Sequence, residues 1–147
     1  MFFDLFKDPL PVGSVAPQFQ LPDDAGNLVS LEALRGQNVV LVFYPADDTH
    51  VCTKQLCDFR DNWGLASSKN TKVFGVNPAS AESHAKFRER HEYPFPILVD
   101  QGQRTGADYH CKGIVPRRTV YLIGPDGVIR FAQRGTPDAE KVLSHAA

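Results

Sequence analysis

Apolar and polar positions along this chain fall into blocks whose period changes several times, and each change marks an element. Residues 39–44, Val39-Val40-Leu41-Val42-Phe43-Tyr44, form a continuous apolar run between Gly36 and Pro45, the pattern of a strand covered on both faces. Helical spacing takes over across 50–66, where Val51, Leu56, Phe59, Trp63 and Ala66 make an inner stripe. Residues 72–76 predict a strand, and 80–91 a helix capped by Ser80 with Ala81, Ala85 and Phe87 apolar. A strand at 95–99, a short helix at 102–109 and a strand at 119–123 continue the alternation. The turn Gly124-Pro125-Asp126-Gly127 leads into a partner strand at 128–133, and 137–145 closes as a helix with Pro137 at its first position.

Ahead of the long apolar run, Pro9, Pro11 and Pro17 make residues 8–17 an extended lead-in. Residues 18–21 and 28–31 flank the turn Asp23-Asp24-Ala25-Gly26-Asn27 as a short hairpin, and a brief turn follows at 32–35. The order of elements predicts an α/β fold: a central mixed sheet, parallel in its middle and antiparallel at one edge, with helices on both faces and an N-terminal β-hairpin extension. No repeat, low-complexity tract or Gly/Ser linker divides the chain. Residues 1–147 therefore read as a single domain, long enough to bury a core without disulfide staples.

Charge narrows the function. With 16 basic against 17 acidic side chains and no charge run, the chain lacks the basic footprint of a nucleic-acid or membrane-surface binder. A small neutral or anionic partner fits better. The opening Met1-Phe2-Phe3-Asp4-Leu5-Phe6-Lys7 is apolar but has no basic n-region, long apolar core or small-residue cleavage site, and no run approaches transmembrane length. Three cysteines, an odd count without secreted-scaffold spacing, suit a reducing cytoplasm where thiols serve chemistry.

One of those thiols stands out. Cys52 follows the apolar run by a Pro/Asp/Thr loop and falls in the first turn of the helix predicted at 50–66. Unpaired N–H groups and the positive end of the helix dipole stabilise a thiolate there. Cysteine is also a common packing residue, but Cys52 lies beyond the strand among the polar Thr49, His50 and Thr53. In an α/β sheet this position, past the C-terminal end of a parallel strand, is where ligands sit.

The run Pro45-x-x-x-Thr49-x-x-Cys52 resembles the active-site signature of the peroxiredoxins. Its flanks, Val40-Leu41-Val42-Phe43-Tyr44 and Cys57-Asp58-Phe59-Arg60-Asp61, are similar to the bacterioferritin-comigratory, or Q-type, branch. Further similarity runs through Gly13-Ser14-Val15-Ala16-Pro17, Leu31 to Gly36, Phe95-Pro96-Ile97-Leu98-Val99-Asp100 and Arg118-Thr119-Val120-Tyr121-Leu122-Ile123, so that it spans nearly the whole chain. The resemblance implies a thioredoxin-like fold and thiol-dependent reduction of hydrogen peroxide and organic hydroperoxides. Cys52 is then the nucleophile, and Cys57 matches the branch's resolving position. No metal, haem or flavin is implied. The regenerating partner is thioredoxin or another thiol donor, and the protein is a monomer or weak dimer.

The remaining roles combine residue chemistry with that resemblance. Arg118 matches the family's arginine, whose guanidinium can stabilise the thiolate and polarise the peroxide; Arg117 is the alternative. The Thr49 hydroxyl can accept from a backbone N–H or donate to a peroxide oxygen, and simple helix capping is its ordinary use. Pro45, with no N–H and a fixed φ, can shape the loop mouth or merely end the strand. An apolar rim of Phe43, Val51 and Phe95 would admit organic hydroperoxides. Cys111 lies outside the branch's pattern and reads as a second resolving thiol, an intermolecular cross-link or a packed residue. His50 tunes the thiolate or is a surface histidine.

Two other function classes compete. A zinc site can draw on His50, Cys52, Cys57, His110 and Cys111, although paired zinc-ligand spacings are missing. A dithiol–disulfide oxidoreductase or redox-sensing module on the same fold is the other, although it normally uses the C-x-x-C that this chain lacks.

Spacing adds a dynamic expectation. Residues five apart on an ideal helix have Cα atoms about 8–9 Å apart, whereas a disulfide needs roughly 4.4–6.8 Å. A Cys52–Cys57 bridge therefore requires the first turns of the helix to unwind. The oxidised protein is expected to lose helix here and to change its Trp63 fluorescence; identical circular dichroism and hydrogen exchange in the two redox forms would remove the idea.

Overall fold

The computed structural model of the chain describes residues 7–147, so the opening residues 1–6, read above for a targeting signal, lie outside it. The predicted hairpin forms from β1 (Gln20–Pro22) and β2 (Leu28–Ser30), with Leu21 opposite Val29. Its turn is fixed by the Asp23 carboxylate, which accepts from the amides of Ala25 and Asn27 at 2.9 Å each. One 3-10 turn, Glu32–Leu34, leads to β3 (Asn38–Phe43), all six residues of which are buried.

Beyond β3 come α1 (His50–Asp61), α2 (Trp63–Ser68), β4 (Thr71–Asn77), α3 (Ala81–His91) and β5 (Ile97–Val99). A second 3-10 turn at Gln101–Gln103, α4 (Arg104–Asp108), β6 (Thr119–Ile123), β7 (Ile129–Arg134) and α5 (Ala139–Leu143) complete the order. The five-stranded sheet runs β5-β4-β3-β6-β7, parallel from β5 to β3 and antiparallel from β3 to β7. As the middle strand, β3 is covered on both faces, which is why its sequence is apolar without alternation.

Alternate residues of β3 feed two cores. Val40, Val42 and Tyr44 join Leu56, Phe59, Ala66, Phe87, Val142 and Leu143, so α1, α2, α3 and α5 pack on one face. Val39, Leu41 and Phe43 face the other, against Phe19, Leu31, Tyr109, Cys111 and Tyr121. That second face is covered by the lead-in, the hairpin and the segment following α4. The lead-in also adds to the outer edge of β7, with the Gly13 amide donating to Ile129 at 2.8 Å and Ala16 to Gly127 at 2.9 Å, which blunts an exposed edge.

Several details differ from the sequence reading: the strand predicted at 95–99 is confined to β5, and the helix at 102–109 to α4 behind a 3-10 turn. The helix predicted as 50–66 breaks at Asn62 (φ −105°, ψ 21°), whose side chain donates to the Asp58 carbonyl at 2.8 Å beside its own amide at 3.1 Å. Pro137 sits ahead of α5 rather than at its first position: Asp138 is the cap residue, and Asp58 of α1 accepts from the Ala139 amide at 2.7 Å. Val51, assigned to the inner stripe, is 49% exposed because the first turn of α1 opens at the surface. Among the described residues no helix is long and apolar enough to cross a membrane.

Phe87 links α3 to the sheet through ring contacts with Tyr44 (6.1 Å) and Tyr93 (5.3 Å), and it is fully buried. Truncating it removes a large apolar side chain and leaves a cavity. Phe87→Ala is expected to lower unfolding free energy by about 3–5 kcal/mol. Ile114→Ala, at a position 84% exposed, is expected to change it by less than about 0.5 kcal/mol in the same urea titration.

Candidate active site

Where β3 ends the chain must leave the sheet, turn and start a helix within a few residues. Asp48 takes the left-handed conformation (φ 58°) and Thr49 is extended (φ −89°, ψ 151°), and α1 then begins at His50. Cys52 is thus the third residue of a twelve-residue helix, in the first turn as the sequence predicts. That turn carries no acidic residue, so no side-chain carboxylate of its own competes for the unpaired amides.

The predicted partners are distributed around this turn. Arg118, just before β6, donates from Nη1 to the Gln55 side-chain oxygen at 3.2 Å, and Gln55 donates in turn to the Gly135 carbonyl at 3.3 Å. Gln55 stands three positions after Cys52, one turn on, so the guanidinium is brought to the stretch of α1 that carries the cysteine. Arg117 donates to the Lys7 carbonyl at 3.4 Å. Thr49 occupies the cap position but makes no capping bond; its exposed hydroxyl donates to the Ala46 carbonyl at 3.4 Å. Pro45 is half-buried, and its carbonyl accepts from Asn77 at 3.0 Å.

Cys57 is half-buried on α1, its Sγ 3.6 Å from the Tyr93 hydroxyl, which also donates to the Thr53 carbonyl at 3.0 Å. Burial, then the neighbouring Cys57, raises the Tyr93 pKa well above its ordinary value, so Tyr93 remains a protonated donor to the first turns of α1. An open cavity of about 460 Å³ lies beside them, lined by Val51, Lys54, Gln55, Cys57 and Asp58 from α1 and by Thr136, Pro137 and Asp138 ahead of α5. Of the apolar rim expected from the sequence only Val51 reaches the surface. Phe43 and Phe95 are core residues, because the strand run and the aromatic stack with Tyr93 take them inward.

Cys111 lies across the sheet, fully buried in the second core, where its thiol donates to the Tyr109 carbonyl at 3.2 Å. His50 is exposed, and His110 Nδ1 contacts the Asp8 carbonyl at 3.0 Å. Among the described residues no three His, Cys, Asp or Glu side chains gather as a metal site.

The sequence reading missed the groups that hold the loop. Asn77, at the end of β4, donates to the Tyr44 and Pro45 carbonyls at 2.9 and 3.0 Å. Asp47 accepts from Tyr44 (2.5 Å) and Ser83 (2.7 Å) and meets His84 Nδ1 at 2.7 Å. Burial pushes the Asp47 carboxyl up, but the bonds from His84, Ser83 and Tyr44 outweigh it and its pKa lies below the usual value. The stability linked to it is present above the unfolded-state pKa and is lost as pH falls through the lower folded one. Asp48 is tied to α3 as well, 2.8 Å from Arg90 and 3.4 Å from His91. One signal was available: His84 stands three positions before Phe87, on the apolar side of a predicted helix.

Comparison with known proteins places this geometry. The AhpC/TSA family model matches residues 12–132, which include the whole strand-to-helix junction. A Coxiella burnetii protein named as a peroxiredoxin of the bcp type is 39% identical over 131 residues, covering 82% of this chain and 85% of its own. The chloroplastic peroxiredoxin Q of rice is 36% identical over 133 residues and 88% of this chain, and the chain spans 61% of that relative's length. The crystal structure of peroxidoxin BcpB from Mycobacterium tuberculosis superposes with a TM-score of 0.86 at 28% identity, covering 92% of this chain and 96% of that one. By this match across most of its length, the chain belongs to the AhpC/TSA family, in the peroxiredoxin Q and Bcp branch.

Proposed function

We propose that the chain is a thiol-dependent peroxidase that reduces hydrogen peroxide and organic hydroperoxides at Cys52. The observation that carries the reading is the convergence of three elements: Cys52 in the first turn of α1, Thr49 at its cap position, and Arg118 bonded to Gln55 one turn on. In this scheme the Cys52 thiolate attacks one peroxide oxygen. A sulfur–oxygen bond forms, the oxygen–oxygen bond breaks, and the other oxygen leaves as hydroxide or alkoxide and takes a proton. Donors aimed at the developing charge accelerate the step. Arg118 and the Thr49 hydroxyl fill that role, and Pro45 shapes the approach.

The product, a Cys52 sulfenic acid, condenses with the Cys57 thiol to give a disulfide and water. Both cysteines belong to the one helix, whose first turns are fastened by Tyr93 at the Thr53 carbonyl, so closure has to break that bond and unwind the turn. An external dithiol then takes up the disulfide by exchange. Thioredoxin is the donor that fits, in a reducing compartment such as the cytoplasm. The protein needs no partner subunit in this scheme and acts as a monomer or weak dimer, one domain over residues 1–147. Exposed Val51 offers an apolar contact for the organic part of a hydroperoxide.

Peptide mapping by mass spectrometry after one equivalent of hydrogen peroxide tests the cycle, with Cys52→Ser as control. The expected product is a Cys52–Cys57 disulfide that is absent from the variant. A Cys52–Cys111 bridge would move the resolving role, and unmodified Cys52 would overturn the peroxidase reading.

A further inference from the structure

Behind the loop at residues 45–49 lies a titratable group that the peroxide chemistry does not use. His84 is fully buried, and its two ring nitrogens meet two different acceptors: Nδ1 is 2.7 Å from the Asp47 carboxylate, and Nε2 is 3.0 Å from the Asn77 carbonyl. A carbonyl oxygen only accepts. The carboxylate already accepts the hydroxyl protons of Tyr44 and Ser83, one on each oxygen. A neutral imidazole has one N–H and one lone pair, so with Asp47 ionised a lone pair would in either tautomer face an acceptor, on a ring that is itself fully buried. With Asp47 ionised, as its lowered pKa requires, only the ring carrying both protons satisfies both contacts, and the carboxylate balances its charge.

We infer that His84 carries a proton on both ring nitrogens in the folded protein and, as half of a buried ion pair with Asp47, is a positioning residue for the loop that presents Cys52 to peroxide. The inference rests on the peroxidase reading only for its catalytic consequence. The pair ties the two ends of one arrangement together. Asp47 belongs to the loop, and Asn77, whose carbonyl takes the second imidazole proton, uses its side chain to hold the Tyr44 and Pro45 carbonyls. Losing one proton from this unit sets a lone pair against either the loop or the end of β4, and one of the two fastenings opens.

Neighbouring charges are engaged elsewhere. On the loop, Asp48 pairs with Arg90 and His91; on α3, Lys86 pairs with Glu82, and Arg88 with Asp24 beside the hairpin. The Tyr44 hydroxyl, from the end of β3, is held by Asp47 itself. Asp47 is the acidic group in contact with His84, which makes its charge removable by one isosteric change.

Asp47→Asn separates charge from shape. Its amide can donate to His84 Nδ1 and to the Ser83 oxygen while its carbonyl accepts from Tyr44, and a neutral His84 then donates from Nε2 to Asn77. All contacts survive with the imidazole uncharged. Asp47→Ala removes them. Two measurements on the full chain test the inference. In long-range proton–nitrogen spectra of the reduced protein at about pH 7.5, His84 should show two protonated nitrogens, becoming the neutral Nε2–H form in Asp47→Asn, where an unperturbed imidazole would already be neutral. The rate of Cys52 oxidation by hydrogen peroxide should decline reversibly at alkaline pH as the wild-type spectrum loses one of those protons, and this limb should be missing from Asp47→Asn. Asp47→Ala should be slower than Asp47→Asn by roughly ten-fold, the effect of losing about one net hydrogen bond at the loop.

A wild-type His84 with one bare nitrogen overturns the assignment, and matching pH profiles in wild type and Asp47→Asn overturn the positioning role. Failure of wild-type Cys52 to oxidise at any pH would instead remove the peroxidase reading and the positioning role with it, while the spectra still decide the protonation of His84.

Discussion

A buried central strand has to hand the chain to a helix N-terminus within six residues, and the rest of the site depends on how that junction keeps its polar groups paired. The carbonyls of Tyr44 and Pro45 leave the β-ladder where no further strand can receive them. Asn77, at the end of the adjacent parallel strand, supplies one amide group to both. Unpaired, each buried carbonyl would forfeit its hydrogen bond at a cost of about 1–3 kcal/mol. The register that sets Phe43 beside Val76 is what puts Asn77 within reach. Sheet pairing, loop shape and the start of α1 are therefore one structural problem with one solution, and the cysteine inherits its position from it.

In the proposed cycle that junction meets two opposed demands. Peroxide attack calls for an intact first turn, because the helix end supplies the positive field at Cys52. Closing a bridge to Cys57 calls for the same turn to open. The fastenings are graded to suit. The loop is held by a buried network of short bonds from β4 and α3, while the first turns of α1 are held at Thr53 by the Tyr93 hydroxyl and lie beside an open cavity. Tyr93 also stacks on Phe95, which contacts Trp63 at 6.1 Å, so movement at Cys57 reaches the indole through two rings. The Tyr93 side-chain fastening sits at the segment that the proposed cycle would move.

Much of this was legible in the sequence because the signals were local. The apolar run of β3, the cap at Ser80, the turn at 124–127 and the cysteine after a strand all follow from short-range pattern, and the structure has them where the pattern places them. The chain's resemblance to the peroxiredoxins singled out Arg118, which no spacing can, and the structure bonds it to Gln55, one turn beyond that cysteine. What stayed hidden was long-range or side-chain specific. His84 reads as one polar position on an amphipathic helix, and its partners stand seven and thirty-seven residues away. Gln55 carries no local signal, because the bond that gives it a role comes from Arg118, sixty-three residues away. The break at Asn62 lies at a single residue whose side chain and amide share the Asp58 carbonyl, and the burial of Phe43 and Phe95 comes from layers that a linear pattern does not show.

The account stands on one claim, that the junction makes Cys52 a thiolate at neutral pH. Its most direct measurement is the rate of Cys52 alkylation by iodoacetamide as a function of pH, in protein carrying Cys57→Ser and Cys111→Ser so that a single thiol reports. A midpoint below about 7, at least about 1.5 units under the roughly 8.5 of a free thiol, is the predicted result. A midpoint at or above that value would show an ordinary thiol in a borrowed setting and would contradict the account at its root.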